Sequence, residues 1–153
     1  MFFSFDRRGE GEETMATQEL LEGLNKMIAM DLRLTIQYMW QYVILAGVEG
    51  QAVRDVFKHI AFEEMKHAES FAERLYYLGG IPTTTPMDIT VGESLKEMAE
   101  KNLKAENEAI ELSKKLIQTA IKEGDPATGL LIQEILVETE EHADKFKKVL
   151  GIR

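Results

Sequence analysis

The chain has 153 residues, room for one domain with a core of its own. It contains no cysteine, which excludes disulfides, thiolate zinc sites and cysteine nucleophiles. Its 27 acidic against 18 basic residues give a net charge of −9, a poor match for phosphate backbones or anionic lipid and a better one for cations.

Residues 1–16 open on Met1-Phe2-Phe3-Ser4-Phe5, turn at once to Asp6-Arg7-Arg8 and become rich in Gly and Glu. They are expected to form a flexible tail ahead of a folded domain over 17–153. The apolar start is too short for a signal peptide and has no positive charge before it. No later stretch approaches the ~20 apolar residues of a membrane span; Tyr42 to Val48 comes nearest and ends at Glu49. A soluble, cytoplasmic protein is expected.

From Thr17 to Ala46, Leu20, Leu24, Met27, Ile28, Leu34, Tyr38, Tyr42 and Leu45 recur at helical spacing, and Gly47 and Gly50 mark a break. A second helix is predicted from Gln51 to Leu78, stopped by Gly79-Gly80 and Pro82. A connection of about a dozen residues follows, with the threonine run of IPTTTPMDIT between its prolines. Thr90-x-x-Glu93 then has the pattern of a capping box opening a third helix, which carries Leu95, Ala99, Leu103, Ile110, Ile117 and Ile121 and ends at Gly124. Asp125-Pro126 supplies an N-cap and a proline at the first helical position of a fourth helix, which runs to about Val149 with Gly151 beyond. Two short links and one long one predict an all-α, antiparallel four-helix bundle whose hairpins are joined by a crossover between the second and third helices. The hairpins also look like copies, since FEEMKHAESF in the second helix lines up with VETEEHADKF in the fourth.

Polar residues interrupt all four apolar stripes. Asp31 falls in line with Leu24, Leu34 and Tyr38. Glu64 and His67, one turn apart, share the row of Phe57, Ile60, Phe71 and Leu75. Glu106 is in line with Ala99, Ile110 and Ile117, and His142 shares a face with Leu131, Ile135 and Phe146, with Glu138 one turn before it. A buried carboxylate without a partner costs several kcal/mol, so acids and two imidazoles converging from four helices call for a multivalent cation. Oxygen-rich ligation with neutral imidazole and no sulfur suits iron or manganese, and zinc can also occupy it.

These residues carry a resemblance to the ferritin-like superfamily, closest to bacterioferritins and the Dps-like mini-ferritins. It runs from about Leu24 to Phe146 and rests on LNKMIAMDLRLTIQY, FEEMKHAESFAERL, the LKAE ending at Glu106, and EILVETEEHAD. The resemblance implies a ferritin-like bundle in which Glu64, His67, Glu106 and His142 take the ligand positions of a di-iron ferroxidase centre, with Tyr38 as the tyrosine just behind them. It implies oxidation of Fe(II) by oxygen or peroxide, with the product sequestered in a homo-oligomeric shell. Because the sequence stops at Arg153, without a fifth helix to line four-fold channels, 12 subunits are expected rather than 24.

Two positions depart from the family. The first helix offers Asp31 where the family has glutamate, one methylene shorter. Three residues before His142, where the family has glutamate, this chain has Thr139, a poor ligand for iron. Glu138 is expected on the inward side of the helix, replacing the lost carboxylate. Met65 takes the position that supplies a haem ligand in bacterioferritins. A packed or interface methionine explains it equally, and with eight methionines in the chain that explanation is favoured, so haem is not expected. Tyr38 also suits an ordinary core tyrosine, His59 lies off the core face, and Trp40 points away from it, as a residue buried between subunits would.

Two other functions compete. One is a di-iron or di-manganese peroxidase of the rubrerythrin kind, which in a chain without cysteine needs an external electron donor. The other is a shell or interaction protein whose site has decayed, for which Thr139 is the reason. Direct DNA binding is disfavoured by charge, Arg7 and Arg8 being the tail's only basic residues.

Overall fold

A computed structural model describes residues 16–153; the tail expected over 1–16 lies, except for Ala16, outside the described residues. Four helices follow one another: α1 (Gln18–Ile44), α2 (Gly47–Tyr77), α3 (Leu95–Lys122) and α4 (Pro126–Leu150). Among the described residues α1 packs most extensively on α2 and α3 on α4, while α1 also meets α3 and α2 makes a smaller contact with α4. Among the described residues no helix is long and apolar enough to cross a membrane.

Local chemistry accounts for the helix ends, with two differences from the sequence-based expectation. Gly47 and Gly50 do not separate α1 from α2. The break is Leu45-Ala46, and Gly50 is buried in the first turn of α2, where a Cβ would lie 3.2 Å from the Leu45 carbonyl carbon. The capping box of α3 sits four residues later than Thr90. Ser94 accepts from the Glu97 amide at 3.1 Å, and the Glu97 carboxylate accepts from the Glu93 amide at 3.0 Å. Thr90 is otherwise engaged, its amide donating to Gln37 in α1. Gly79 and Gly124 end α2 and α3 at positive φ (89° and 73°), and the amides beyond them close back onto Leu75 and Ala120.

Asp125 caps α4 as expected, its side chain accepting from the Thr128 amide at 3.0 Å. The same carboxylate takes a 2.8 Å bond from Arg74 of α2, which also donates to the Thr128 hydroxyl at 2.7 Å. One cap therefore ties the end of α2 to the turn between α3 and α4. The long crossover, residues 78–94, is laced to α1: Asn25 bonds Ile81 and Thr83, Ala29 accepts from Met87, and Gln41 donates to Val91. Beneath it Gln37, Gln41 and Asn102 satisfy one another in a buried amide cluster that the apolar periodicity did not disclose.

The apolar interior falls into two clusters. One gathers Leu20, Leu24, Met27, Phe71, Leu75, Leu116, Ile117, Ile132 and Ile135. The other gathers Leu34, Tyr38, Phe57, Ile60, Met98, Ala105 and Phe146, with the Phe146 ring 5.4 Å from both Tyr38 and Phe57. On every helix the polar residues singled out above lie between the two, forming a charged layer across the middle of the bundle. At the helix ends the stripes are rotated slightly from expectation. Ile121 is 57% exposed while Ala120 is buried, and Ile132 rather than Leu131 is the fully buried residue of α4.

Candidate metal centre

Asp31, Glu64, His67, Glu106 and His142 are all buried, none more than 4% exposed. Their ligand atoms form two groups, each within 4.8 Å throughout: Asp31, Glu64 and His67, and Glu64, Glu106 and His142. Glu64 belongs to both. The two histidine rings are stacked 5.7 Å apart. His142 Nδ1 lies 2.8 Å from Glu64 Oε1 and 3.8 Å from Glu106 Oε2, and His67 Nδ1 lies 3.5 Å from Glu64 Oε2. Tyr38 donates its hydroxyl to Glu106 Oε1 at 2.6 Å, so it belongs to the site as well as to the core.

Crowding three carboxylates and two imidazoles in a layer shut off from water perturbs each of them. Burial raises the Asp31 carboxyl well above its ordinary range, and the neighbouring Glu64 and Glu106 charges push the same way. Burial and the Glu64 charge lift Glu106 to about 7. Burial also opposes ionisation of Glu64, but the hydrogen bond from His142 and the nearby His67 ring outweigh it and hold that carboxyl at about 2. For His142 burial favours the neutral ring, yet the Glu106 and Glu64 carboxylates overcome it and raise the imidazolium to about 11. His67 is raised too, by Glu64 and Glu138 against the effect of burial. Tyr38 is held neutral by burial and by the Glu106 charge.

Three buried side-chain atoms of this layer have no hydrogen-bond partner: Asp31 Oδ2, His67 Nδ1 and Glu106 Oε2. Orphaned buried lone pairs are uncommon in folded proteins. Here all three belong to metal-ligating residue types, and the donor set, carboxylate with imidazole, is the one that suits iron, manganese or zinc.

The α4 residue facing this layer is Thr139, not Glu138. Ile132, Ile135, Thr139, His142 and Phe146 form the buried row, because a helical period of 3.6 brings 139 rather than 138 into register with 142. The Thr139 hydroxyl donates to the Ile135 carbonyl at 2.9 Å. Glu138 stands on the flank with its side chain 53% exposed and reaches His67 at Nε2, 2.7 Å away, the nitrogen opposite the one that faces Glu64. Sequence reasoning missed Glu63, whose Oε2 lies 2.9 Å from His142 Nε2 and whose Oε1 lies 3.1 Å from the exposed His59. The internal repeat was the signal available for it, since Glu63 and Glu138 align. Met65 is 47% exposed and outside the site, and Trp40 is 56% exposed.

The Ferritin-like domain profile matches residues 21–152. The bacterioferritin of Desulfovibrio desulfuricans is 32% identical over 132 residues, 86% of this chain and 74% of the relative. A nutrient stress-induced DNA-binding protein of Synechococcus is 30% identical over 143 residues, 87% of this chain and 81% of the relative. Among solved structures, the D. desulfuricans bacterioferritin, described with a diiron site in different catalytic states, superposes with a TM-score of 0.83 at 30% identity, covering 92% of this chain and 82% of that one. A ferritin-like, diiron-carboxylate protein of Bacillus anthracis gives 0.84 at 25% identity, covering 92% and 99%. A four-helix bundle with one long crossover, acids and histidines layered across its middle, and a profile match along nearly the whole described chain place this protein in the ferritin-like family.

Proposed function

We propose that the protein binds Fe(II) at a two-metal centre in the bundle, oxidises it with oxygen or peroxide and keeps the product in a shell of like subunits. The observation that carries this is the pair of buried three-residue groups joined at Glu64, with unpartnered ligand atoms in each. Asp31 and His67 would hold one iron and Glu106 and His142 the other, with Glu64 between them. Bound there, a pair of iron ions supplies electrons to the oxidant as Fe(II) passes to Fe(III). The chain's own part is to position and to exclude water. Tyr38 fixes the Glu106 carboxylate, the two apolar clusters seal the layer above and below, and His142 gives up a proton when its Nδ1 turns from Glu64 to a metal.

Exposed apolar side chains on α1 and α2, among them Trp40, Val43, Ile44, Val48 and Phe62, support association of subunits. The charge of −9 speaks against DNA contact of the kind one relative's name describes. Thr139 favours a second reading, a one-metal or dismantled site in a shell-forming protein. Anaerobic titration with Fe(II) followed by air, with His67→Ala alongside, separates the two. Two Fe(II) per chain, oxidised fast in the wild type and slowly in the variant, is the expected result; one or none, with both proteins oxidising iron at the buffer rate, would overturn the proposal. A monomer or dimer by light scattering would remove the shell.

A further inference from the structure

We infer that Thr139 marks a metal-dependent site for a small anion of the carboxylate class, formate, acetate or bicarbonate, taken from solution where α4 offers the metals no carboxylate of its own. The inference deepens the proposed function and rests on it. The internal repeat lines up Thr139 with Glu64, the carboxylate common to both ligand groups. Thr139 also shares its burial, being 3% exposed in the row of Ile135 and His142, so the second helix of each hairpin turns the same register position toward the charged layer. What differs is the head group. Threonine stops at the γ position, one atom before the carboxylate carbon of a glutamate, and its hydroxyl is already spent on the Ile135 carbonyl at 2.9 Å.

Charge and donor count both call for the missing group. Asp31, Glu64 and Glu106 bring three negative charges when ionised, two divalent cations bring four positive ones, and His67 and His142 ligate as neutral rings. One positive charge is left over in a layer shut off from water, where an unbalanced charge is costly. The nearest further carboxylates do not supply the balance: Glu138 is 53% exposed, and Glu63 faces His59 at 3.1 Å and Lys145 at 3.9 Å as well as His142. A single anion of charge −1 does. Each metal also finds one imidazole, one carboxylate of its own and the shared Glu64, and a three-donor set leaves positions open at iron, manganese or cobalt. A planar carboxylate with two equivalent oxygens can take one such position on each metal, the part proposed above for Glu64. The phosphate dianion exceeds the charge required, and chloride lacks the second donor atom.

Equilibrium dialysis with 14C-formate and Co(II) calorimetry, in a buffer poor in coordinating anions and purged of carbon dioxide, test this without turnover. The loaded wild type should retain one formate per two Co(II), and the metal-free protein none. Since the anion binds only the loaded centre, formate at about ten times its dissociation constant should tighten the second Co(II) roughly tenfold. Acetate and bicarbonate should act in the same way, with phosphate and chloride leaving the affinity unchanged. Thr139→Glu, which supplies the carboxylate covalently, should bind two Co(II) without formate and retain none. Formate retention by the wild type decides the matter even if that variant does not fold. Two Co(II) bound with the same affinity in every anion, with no formate retained, would overturn the inference and leave the two-metal reading standing; so would an effect of phosphate alone. One Co(II) or none in every anion would overturn both.

Discussion

Loading the metal-free protein with a divalent cation at pH 7 should release protons in a number the structure lets one work out. His142, raised to about 11 by Glu64 and Glu106, carries its extra proton essentially completely, and Glu106, raised to about 7, is half protonated. Asp31, raised well above its ordinary range by burial, and His67, also raised, act in the same direction. Ligation needs neutral imidazole and ionised carboxylate, so each of these protons must leave. The release should be at least about 1.5 protons per loaded chain. Since the competing protons become scarcer as pH rises, affinity should strengthen with pH, by roughly a hundredfold per unit around neutrality if two protons are displaced. Calorimetric titration with Co(II) in buffers of small and large ionisation enthalpy measures the proton count directly, and repeating it at pH 6.5 and 7.5 measures the slope. An enthalpy that is the same in every buffer, with an affinity flat in pH, would show that the cation does not enter this layer and would refute the assignment.

Phe146→Ala removes a fully buried ring packed on Tyr38 and Phe57 and should cost about 3–5 kcal/mol, lowering the thermal midpoint by roughly 10 °C; a fall of only a degree or two would mean that the apolar cluster beside the site is not as packed as described. Asp125→Ala deletes the α4 cap and the Arg74 bond together and should cost about 2 kcal/mol in urea unfolding at pH 7. Hydrogen bonds to Thr128 and Arg74 hold the Asp125 carboxyl below its usual range despite partial burial, so this contribution is present above the unfolded pKa and lost as pH falls through the folded one; wild type and variant should converge in acid. Thr139→Glu should lower the midpoint of the metal-free protein and raise that of the Mn(II)- or Zn(II)-loaded protein, read by thermal scans with and without metal; equal metal-free midpoints would show that position 139 does not face the charged layer.

Helix number, order and the crossover were legible because long amphipathic stripes with glycine and proline stops leave little choice of architecture. The ligand-type residues were legible for the opposite reason: Asp31, Glu64, His67, Glu106 and His142 break stripes that are otherwise apolar, and all five are buried where the stripes predicted. What the sequence hid depends on reach rather than on position along a helix. Glu138 and Glu63 sit at the margins of their stripes, where a long side chain can turn inward or outward, and only the opposing histidines decide which. The α3 cap was misplaced because Thr90 and Ser94 both begin an S/T-x-x-E pattern, and the choice between them is made by Gln37, an α1 residue that claims the Thr90 amide. The amide cluster of Gln37, Gln41 and Asn102 was hidden because its members satisfy one another across two helices, a property of the pair and not of either sequence.

The charged layer also explains how such a bundle can fold before metal arrives. Three buried carboxylates would be prohibitive if all were ionised without partners. In the metal-free protein Glu64 is balanced by the His142 ring that bonds to it and the His67 ring beside it, while protons on Asp31 and partly on Glu106 remove the remaining charge. In the proposed centre metal would take the place of those protons. A fourth inward carboxylate at position 139 would have no third imidazole to meet it, so it would have to be buried protonated or await a cation. Threonine there, with its hydroxyl spent on the Ile135 carbonyl, relieves the metal-free fold of that demand at the cost of one ligand. The balance of acids and imidazoles around Glu64 thus sets how stable the empty bundle is and, in the proposed centre, would set how tightly metal is held.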